Sequence, residues 1–153
     1  GDGGNVEFGA TYKRYTATIG RQFCLGEPSA RLQEIYDVVR AACDACIASI
    51  RPSVPANVAH NAAKKIIEDA GLEAGRIHLS GYSLAAGFPP GWAEPFFLLD
   101  DNAQLFQNKM VVTVEPPVFL DEEHLGVRII DNVLVTEDGA KVLSGFSRDI
   151  ISK

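Results

Sequence analysis

The stretch from Lys109 to Ser144 constrains the fold more than any other. Val111, Val112, Val114, Val118, Phe119 and Leu120 form one β-rich run, and Val127, Ile129, Ile130, Val133, Leu134 and Val135 form a second. The polar segment 121–126 joins them, so the spacing predicts two neighbouring strands. The connection is longer than a two-residue hairpin turn, which predicts a bulge or a projecting loop. Glu115 interrupts the first run and is followed by Pro116 and Pro117. A carboxylate with apolar neighbours on both sides is costly to bury unless it is paired or protonated. Two readings of Glu115 stand at this level: an outward-pointing residue of a half-buried strand, or a functional group.

The rest of the chain supplies layers for that sheet. Segment 5–17 is β-prone, with Gly9 allowing a bend and Tyr12 and Tyr15 suited to packing on a sheet; segment 19–25 is expected to continue as another strand, with Gly20 at the break. Gly26-Glu27-Pro28-Ser29 reads as a turn, with Ser29 as N-cap. From Arg31 to Ile50, the residues Leu32, Ile35, Tyr36, Val39, Ala42, Cys43, Cys46, Ile47 and Ile50 recur at spacings of three and four, the pattern of a helix with one apolar stripe. A second helix is expected from residue 57 to Ala70, with Val58, Ala62 and Ile66 inward and Gly71 as its stop. Segment 75–87 is punctuated by glycine, and Phe88-Pro89-Pro90-Gly91-Trp92 is expected to form a rigid loop near a cleft. Segment 94–106 reads as a polar connection with an apolar patch. The order β, α, α, β predicts an α+β domain rather than repeated βαβ units.

The chain has 153 residues, enough for one domain with a core, and a formal charge of -6. No cluster of Lys and Arg forms a phosphate-binding stripe, so nucleic acid and anionic membrane are poor partners. No signal peptide or long apolar run is present, which predicts a cytoplasmic chain. The opening GDGGN lacks an initiator Met and leads straight into a probable strand, as expected of a piece cut from a longer protein. Cys43 and Cys46 form a CxxC inside a helical pattern; core packing and redox or metal use are the alternatives, without a second ligand pair nearby.

No HExxH, GxSxG or phosphate loop occurs. His78 lies between Ile77 and Leu79, where a neutral ring would satisfy one hydrogen bond within a strand. His124 follows two acids and reads as exposed, and His60 sits in a helix without a ligand pattern. Trp92 is either a pocket wall or a loop anchor. Glu7, Glu94 and Glu115 are the carboxylates whose neighbours would move their pKa or let them hold an ion.

Several blocks in order resemble one family. The tract from Glu7-Phe8-Gly9-Ala10 through Tyr15 to Arg21 resembles a DxGAxYxGYxSDxTR strand pair. Gly26-Glu27-Pro28-Ser29, the long helix, Arg51-Pro52 and Gly81-Tyr82-Ser83 follow. MVVTVEPPVFL resembles GMVxTxEPGxY, and GVRIIDNVLVTEDGAKVLSGFSRDII resembles GVRIEDxxLVTxxGxExLTxxP. Together these resemble the C-terminal catalytic region of the pita-bread family of methionine and Xaa-Pro aminopeptidases, prolidase and creatinase. The resemblance implies an α+β pita-bread fold, a curved and mainly antiparallel sheet covered by helices. Residues 1–153 would be the C-terminal part of one such catalytic domain, an incomplete one that lacks its N-terminal part.

The same resemblance implies a site. Metal-dependent members hold a dinuclear divalent centre with two aspartates, a histidine and two glutamates. The matching positions here are Glu7, Thr18, Tyr82, Glu115 and Ile130, so Glu115 alone is unchanged and Glu7 is a carboxylate substitute. Thr18, Tyr82 and Ile130 are unsuited to hard divalent ions. Creatinase-like members work without metal, and their second carboxylate falls at Gly20. SGYSLAAGFPPGWAE resembles a GYxxGxxxPPxWGE pattern of ectoine-hydrolase-like members, which favours a small amide or amidine-like substrate. The expectation is a hydrolase of a C–N bond in a small metabolite or dipeptide, without cofactor or metal. Glu115, Glu7 and Tyr82 are its expected catalytic residues, and Trp92, Glu94, His78 and Arg128 its substrate-binding residues. Its expected partners are the N-terminal part of the same protein and a second copy in a homodimer. A non-catalytic binding domain and a metal-dependent Xaa-Pro peptidase with atypical ligands are the alternatives.

Overall fold

The structure, a computed structural model, describes residues 1–87 and 91–153. The expected rigid loop at Phe88-Pro89-Pro90 therefore lies outside the described residues. The chain opens with a long hairpin, β1 (Gly3–Tyr12) and β2 (Tyr15–Cys24), followed by helices α1 (Ala30–Ser49) and α2 (Ala56–Asp69). Short strands β3 (Tyr82–Leu84) and β4 (Ala93–Phe97) come next. A ribbon follows: β5 (Val111–Val114), β6 (Val118–Leu120), β7 (Leu125–Val127) and β8 (Asp131–Thr136). β9 (Gly139–Val142) and β10 (Ile151–Ser152) complete it. The strands form three sheets, ordered β1-β2-β10, β4-β3-β5-β8-β9 and β6-β7, antiparallel throughout except where β10 runs parallel to β2. The α+β expectation holds.

The two apolar runs pair as neighbours, but each breaks in the middle. Val114 faces Asp131 before the break and Val118 faces Val127 after it, so both strands leave the ladder for the same number of residues. Glu115, Pro116 and Pro117 occupy one interruption, and Arg128, Ile129 and Ile130 the other. Proline cannot donate to a ladder, which explains the first gap. The second is taken up by β2: Gly20 and Ile130 exchange both backbone hydrogen bonds, at 3.2 and 3.1 Å. The projecting connection is a single 3-10 turn at Asp121–Glu123, closed by exposed His124 in the left-handed region.

That junction corrects the reading of Gly20 as a strand break. The turn instead falls at Lys13 and Arg14, both with positive φ, as a two-residue hairpin loop requires. Tyr12 and Tyr15 flank that turn and are 75% and 66% exposed rather than packed on the sheet. Gly20 stays inside β2 because Ile130 needs the space: a Cβ there would lie 2.5 Å from Ile130 Cγ1. β4 was also missed, since Pro95 interrupts it; as the edge of its sheet, it tolerates proline.

Helix α1 begins at the expected cap, with Ser29 Oγ accepting from the Leu32 N–H at 3.1 Å, and it buries the expected stripe. Each fully buried Leu or Ile of that stripe contributes roughly 1.5–3 kcal/mol. Helix α2 has the expected period but a different phase. It buries Ala59, His60, Ala63 and Ile67, and leaves Val58 exposed. The small residues of this face join Ala42, Cys43 and Cys46 of α1 in one buried core. Both CxxC sulfurs are free and buried, and burial pushes the Cys43 thiol up to about 12 and the Cys46 thiol higher. That supports core packing over redox use. Among the described residues, no helix is long and apolar enough to cross a membrane.

Candidate active site

The interruption in the ribbon is where the polar chemistry gathers. Glu115 is fully buried, and its backbone N–H donates to the Ser80 carbonyl at 2.9 Å. Its Oε1 accepts from Arg128 Nη2 at 2.9 Å and faces His78 Nε2 at 3.4 Å. Its Oε2 has no hydrogen-bond partner among the described residues. Arg128 also donates from Nη1 to Glu7 Oε2 on β1 at 3.0 Å, so one guanidinium bridges two carboxylates from separate sheets. The guanidinium offsets the cost of burying Glu115, which would be several kcal/mol for an unpaired ion. Asn5 fixes the Arg128 backbone, with Nδ2 donating to the Arg128 carbonyl at 2.6 Å.

His78 lies in a bend rather than in the expected strand, with a half-exposed ring directed at Glu115. The bend follows from Gly81. Its φ is +156°, and a Cβ there would collide with the Thr113 carbonyl, so this approach of backbones needs glycine. Tyr82 then enters β3, and its hydroxyl accepts from Trp92 Nε1 at 3.0 Å. With that lone pair engaged, the phenol proton is left to be donated elsewhere. Burial, and secondarily the Glu115 charge, raise the Tyr82 pKa, so the phenol stays protonated near neutrality. Trp92 also lies over Gly9 of the hairpin, its Cζ3 3.6 Å from where a Cβ would stand. It thus anchors this segment to the hairpin.

The structure brings together Glu7, Glu115, Arg128 and His78, with Tyr82 and Trp92 as a linked pair beside them. Glu94 stands apart: it lies opposite Ser83 on β4 and lines a separate groove of about 1280 Å³, together with Phe8, Thr18, Leu84, Met110 and Asn132. The lining of that groove is mostly apolar. Charge and burial make the Glu115 cluster the candidate chemical centre. Three residues that shape it escaped sequence reading. Asn5 and Ser80 carry no motif, and His60 was read as a helix residue without partners. The phase of α2 is the signal that would have found His60.

The five positions that resemblance assigns to a dinuclear metal do not offer a donor set for one. Ile130 packs its side chain onto Gly20, Thr18 Oγ1 donates to the Phe8 carbonyl at 3.3 Å, and Tyr82 is engaged with Trp92. The two remaining carboxylates already share a guanidinium. Among the described residues, no group of three or more His, Cys, Asp or Glu is arranged to hold a metal ion.

Comparison with known proteins places this arrangement. The model of metallopeptidase family M24 matches residues 1–137. An uncharacterized peptidase of Staphylococcus saprophyticus is 35% identical over 144 residues, covering 93% of this chain and 39% of the relative. The Xaa-Pro dipeptidase of Pyrococcus furiosus is 29% identical over 146 residues, covering 95% of this chain and 40% of that protein. Among solved structures, a prolidase from Thermococcus sibiricus superposes with a TM-score of 0.91 at 27% identity, over 100% of this chain and 40% of its own. The chain thus spans about two fifths of the length of these relatives. The pita-bread fold expected from the motifs is the fold of this chain, and the chain belongs to metallopeptidase family M24.

Proposed function

We propose that this chain contributes the acting residues of a hydrolase that cleaves a C–N bond in a small metabolite or dipeptide without the dinuclear metal of its family. The observation that carries this reading is the Glu115 carboxylate: buried, held through one oxygen by Arg128, and without a hydrogen-bond partner at the other among the described residues. Glu115 takes a proton from the attacking water, and His78, at 3.4 Å, relays it towards the leaving nitrogen. Tyr82 donates its phenol proton to the substrate carbonyl or amidine. Glu7 and Arg128 fix the substrate's polar groups, Trp92 forms a wall, and Glu94 contacts a substrate that extends into the groove. Xaa-Pro dipeptides, the substrates named for the Pyrococcus furiosus relative, and small amides and amidines are the first compounds to assay.

The test is Glu115→Gln in the intact protein. Turnover of the responsive compound should fall by about 10²–10⁴-fold, the usual contribution of a positioned base. Unchanged turnover would remove Glu115 from the reaction. Metal analysis of protein purified without chelator separates the alternatives. Two tightly held ions per chain would return it to metal-dependent Xaa-Pro peptidases. A second reading, a binding domain without turnover, is favoured by Ile130 seated on Gly20 at the position to which the motif resemblance assigns a metal ligand. Calorimetric binding of a compound that is never hydrolysed would support that reading instead.

A further inference from the structure

His60 stands at the outer end of a hydrogen-bonded chain that finishes at Glu115. Its ring is buried on α2, with Nδ1 2.9 Å from Ser80 Oγ and Nε2 3.3 Å from Arg76 Nη1. A guanidinium can only donate, so Nε2 is the acceptor and Nδ1 carries the proton given to Ser80. Ser80 in turn accepts the Glu115 N–H through its carbonyl and donates its own N–H to Leu98 at 3.1 Å. His78 lies two residues before Ser80 on the same bend and meets the other end of Glu115. One side chain on α2 therefore sets both the backbone of the buried carboxylate and the approach of the ring beside it.

We propose that His60, acting through Ser80, is a positioning residue for Glu115 and His78. The proposal rests on Glu115 being the acting group of the hydrolysis proposed above. The charged groups around the ring are Arg76, Asp100, whose Oδ2 is 3.7 Å from Nε2, and Lys64, which binds Asp100 at 2.7 Å. Protonating Nε2 would set an N–H against the Arg76 guanidinium and break that link, while Nδ1–H keeps Ser80, so the disturbance enters segment 76–81 through Arg76. Burial, and then Arg76, hold the His60 pKa below the ordinary imidazole value, so the ring is neutral at pH 7. The arrangement thus works at neutral pH and loosens in acid.

Amide NMR on the isotope-labelled intact protein tests this with His60→Gln and Ser80→Ala. In the parent, the Ser80 and Glu115 amides should shift together with the His60 ring in one titration step below pH 6.5. His60→Gln should abolish that step. In both variants, hydrogen exchange at the Glu115 amide should quicken by about tenfold, while exchange in α1 stays unchanged. A merely structural histidine would not tie the Glu115 amide to its own titration. If the step survives His60→Gln, or Glu115 exchange is unchanged in Ser80→Ala, the proposal is wrong. Should His60→Gln fail to fold, the Ser80→Ala exchange rate decides alone. None of these readouts needs turnover, so their failure is distinct from failure of the Glu115→Gln assay.

Discussion

Two arginines sit on either side of Ile130, and they are used in opposite ways. Arg21 spends all five of its N–H donors on Ser147, Gly20, Ile130, Phe146 and Asp131. Arg148 closes this cluster from outside, its Nε 2.9 Å from Asp131 Oδ2 as an ion pair without hydrogen-bond geometry. Arg128 makes two side-chain bonds, to Glu7 and Glu115, and its buried Nε has no partner. Both clusters are buried pairs at one junction. Arg21 itself has every donor engaged and ties the C-terminal segment to β2, while at its rim Asp131 Oδ2 and Arg148 Nε and Nη2 have no hydrogen-bond partner among the described residues. The Arg128 cluster leaves an oxygen and a nitrogen unclaimed. An arginine with every donor engaged clamps; one that keeps a spare donor beside an unpaired carboxylate oxygen leaves polar atoms that a ligand could meet.

Mutations should separate the two. Arg21→Leu strands Asp131 Oδ1 and four backbone carbonyls, and should lower the unfolding free energy by about 3–5 kcal/mol in urea titration. A loss as small as that of a surface change would break the contrast. Gly20→Ala pushes a methyl group into Ile130 and should cost about 1–3 kcal/mol. Adding Ile130→Ala should recover part of that loss, and a strictly additive double mutant would mean the two side chains do not meet. Glu115→Gln should cost only about 1 kcal/mol of stability, since Arg128 keeps Glu7, even as turnover falls steeply. Acid supplies the mildest probe. The His60 pKa is lowered on folding, so its contribution is present above pH 6.5 and is lost as pH falls through the folded-state value. Melting temperatures measured across that window should decline in the parent and decline less in His60→Gln.

Much of the architecture was readable because it is local. The α1 stripe is long and regular, Ser29 caps it as its side chain predicts, and the two valine-rich runs announce their pairing. What failed was settled by distant residues. Gly20 looks like a breaker until Ile130 arrives to cover it, and Lys13-Arg14 carries none of the usual residues of a tight turn. The larger apolar residues of α2 suggest one face, whereas the buried face carries alanines, Ile67 and a histidine whose ring is held by Ser80 and Arg76. In the site, Glu115 stood out as a carboxylate breaking an apolar run, and Arg128 entered through a motif match. Asn5, Ser80 and His60 act through single hydrogen bonds to residues far along the chain, and no spacing encodes those.

The matched interruptions in the β5–β8 ribbon also bear on which length changes the chain can accept. Because the ladder resumes in the same register beyond the gap, the hairpin tip is insulated from the chemistry. Residues added at 121–124 would lengthen an exposed turn and leave Glu115 opposite Arg128's strand. A residue removed from 115–117 alone would slip one strand against the other and turn every alternating side chain beyond it to the wrong face. The ribbon therefore offers a permissive site for a tag or graft within a few residues of a stretch where no deletion is tolerated.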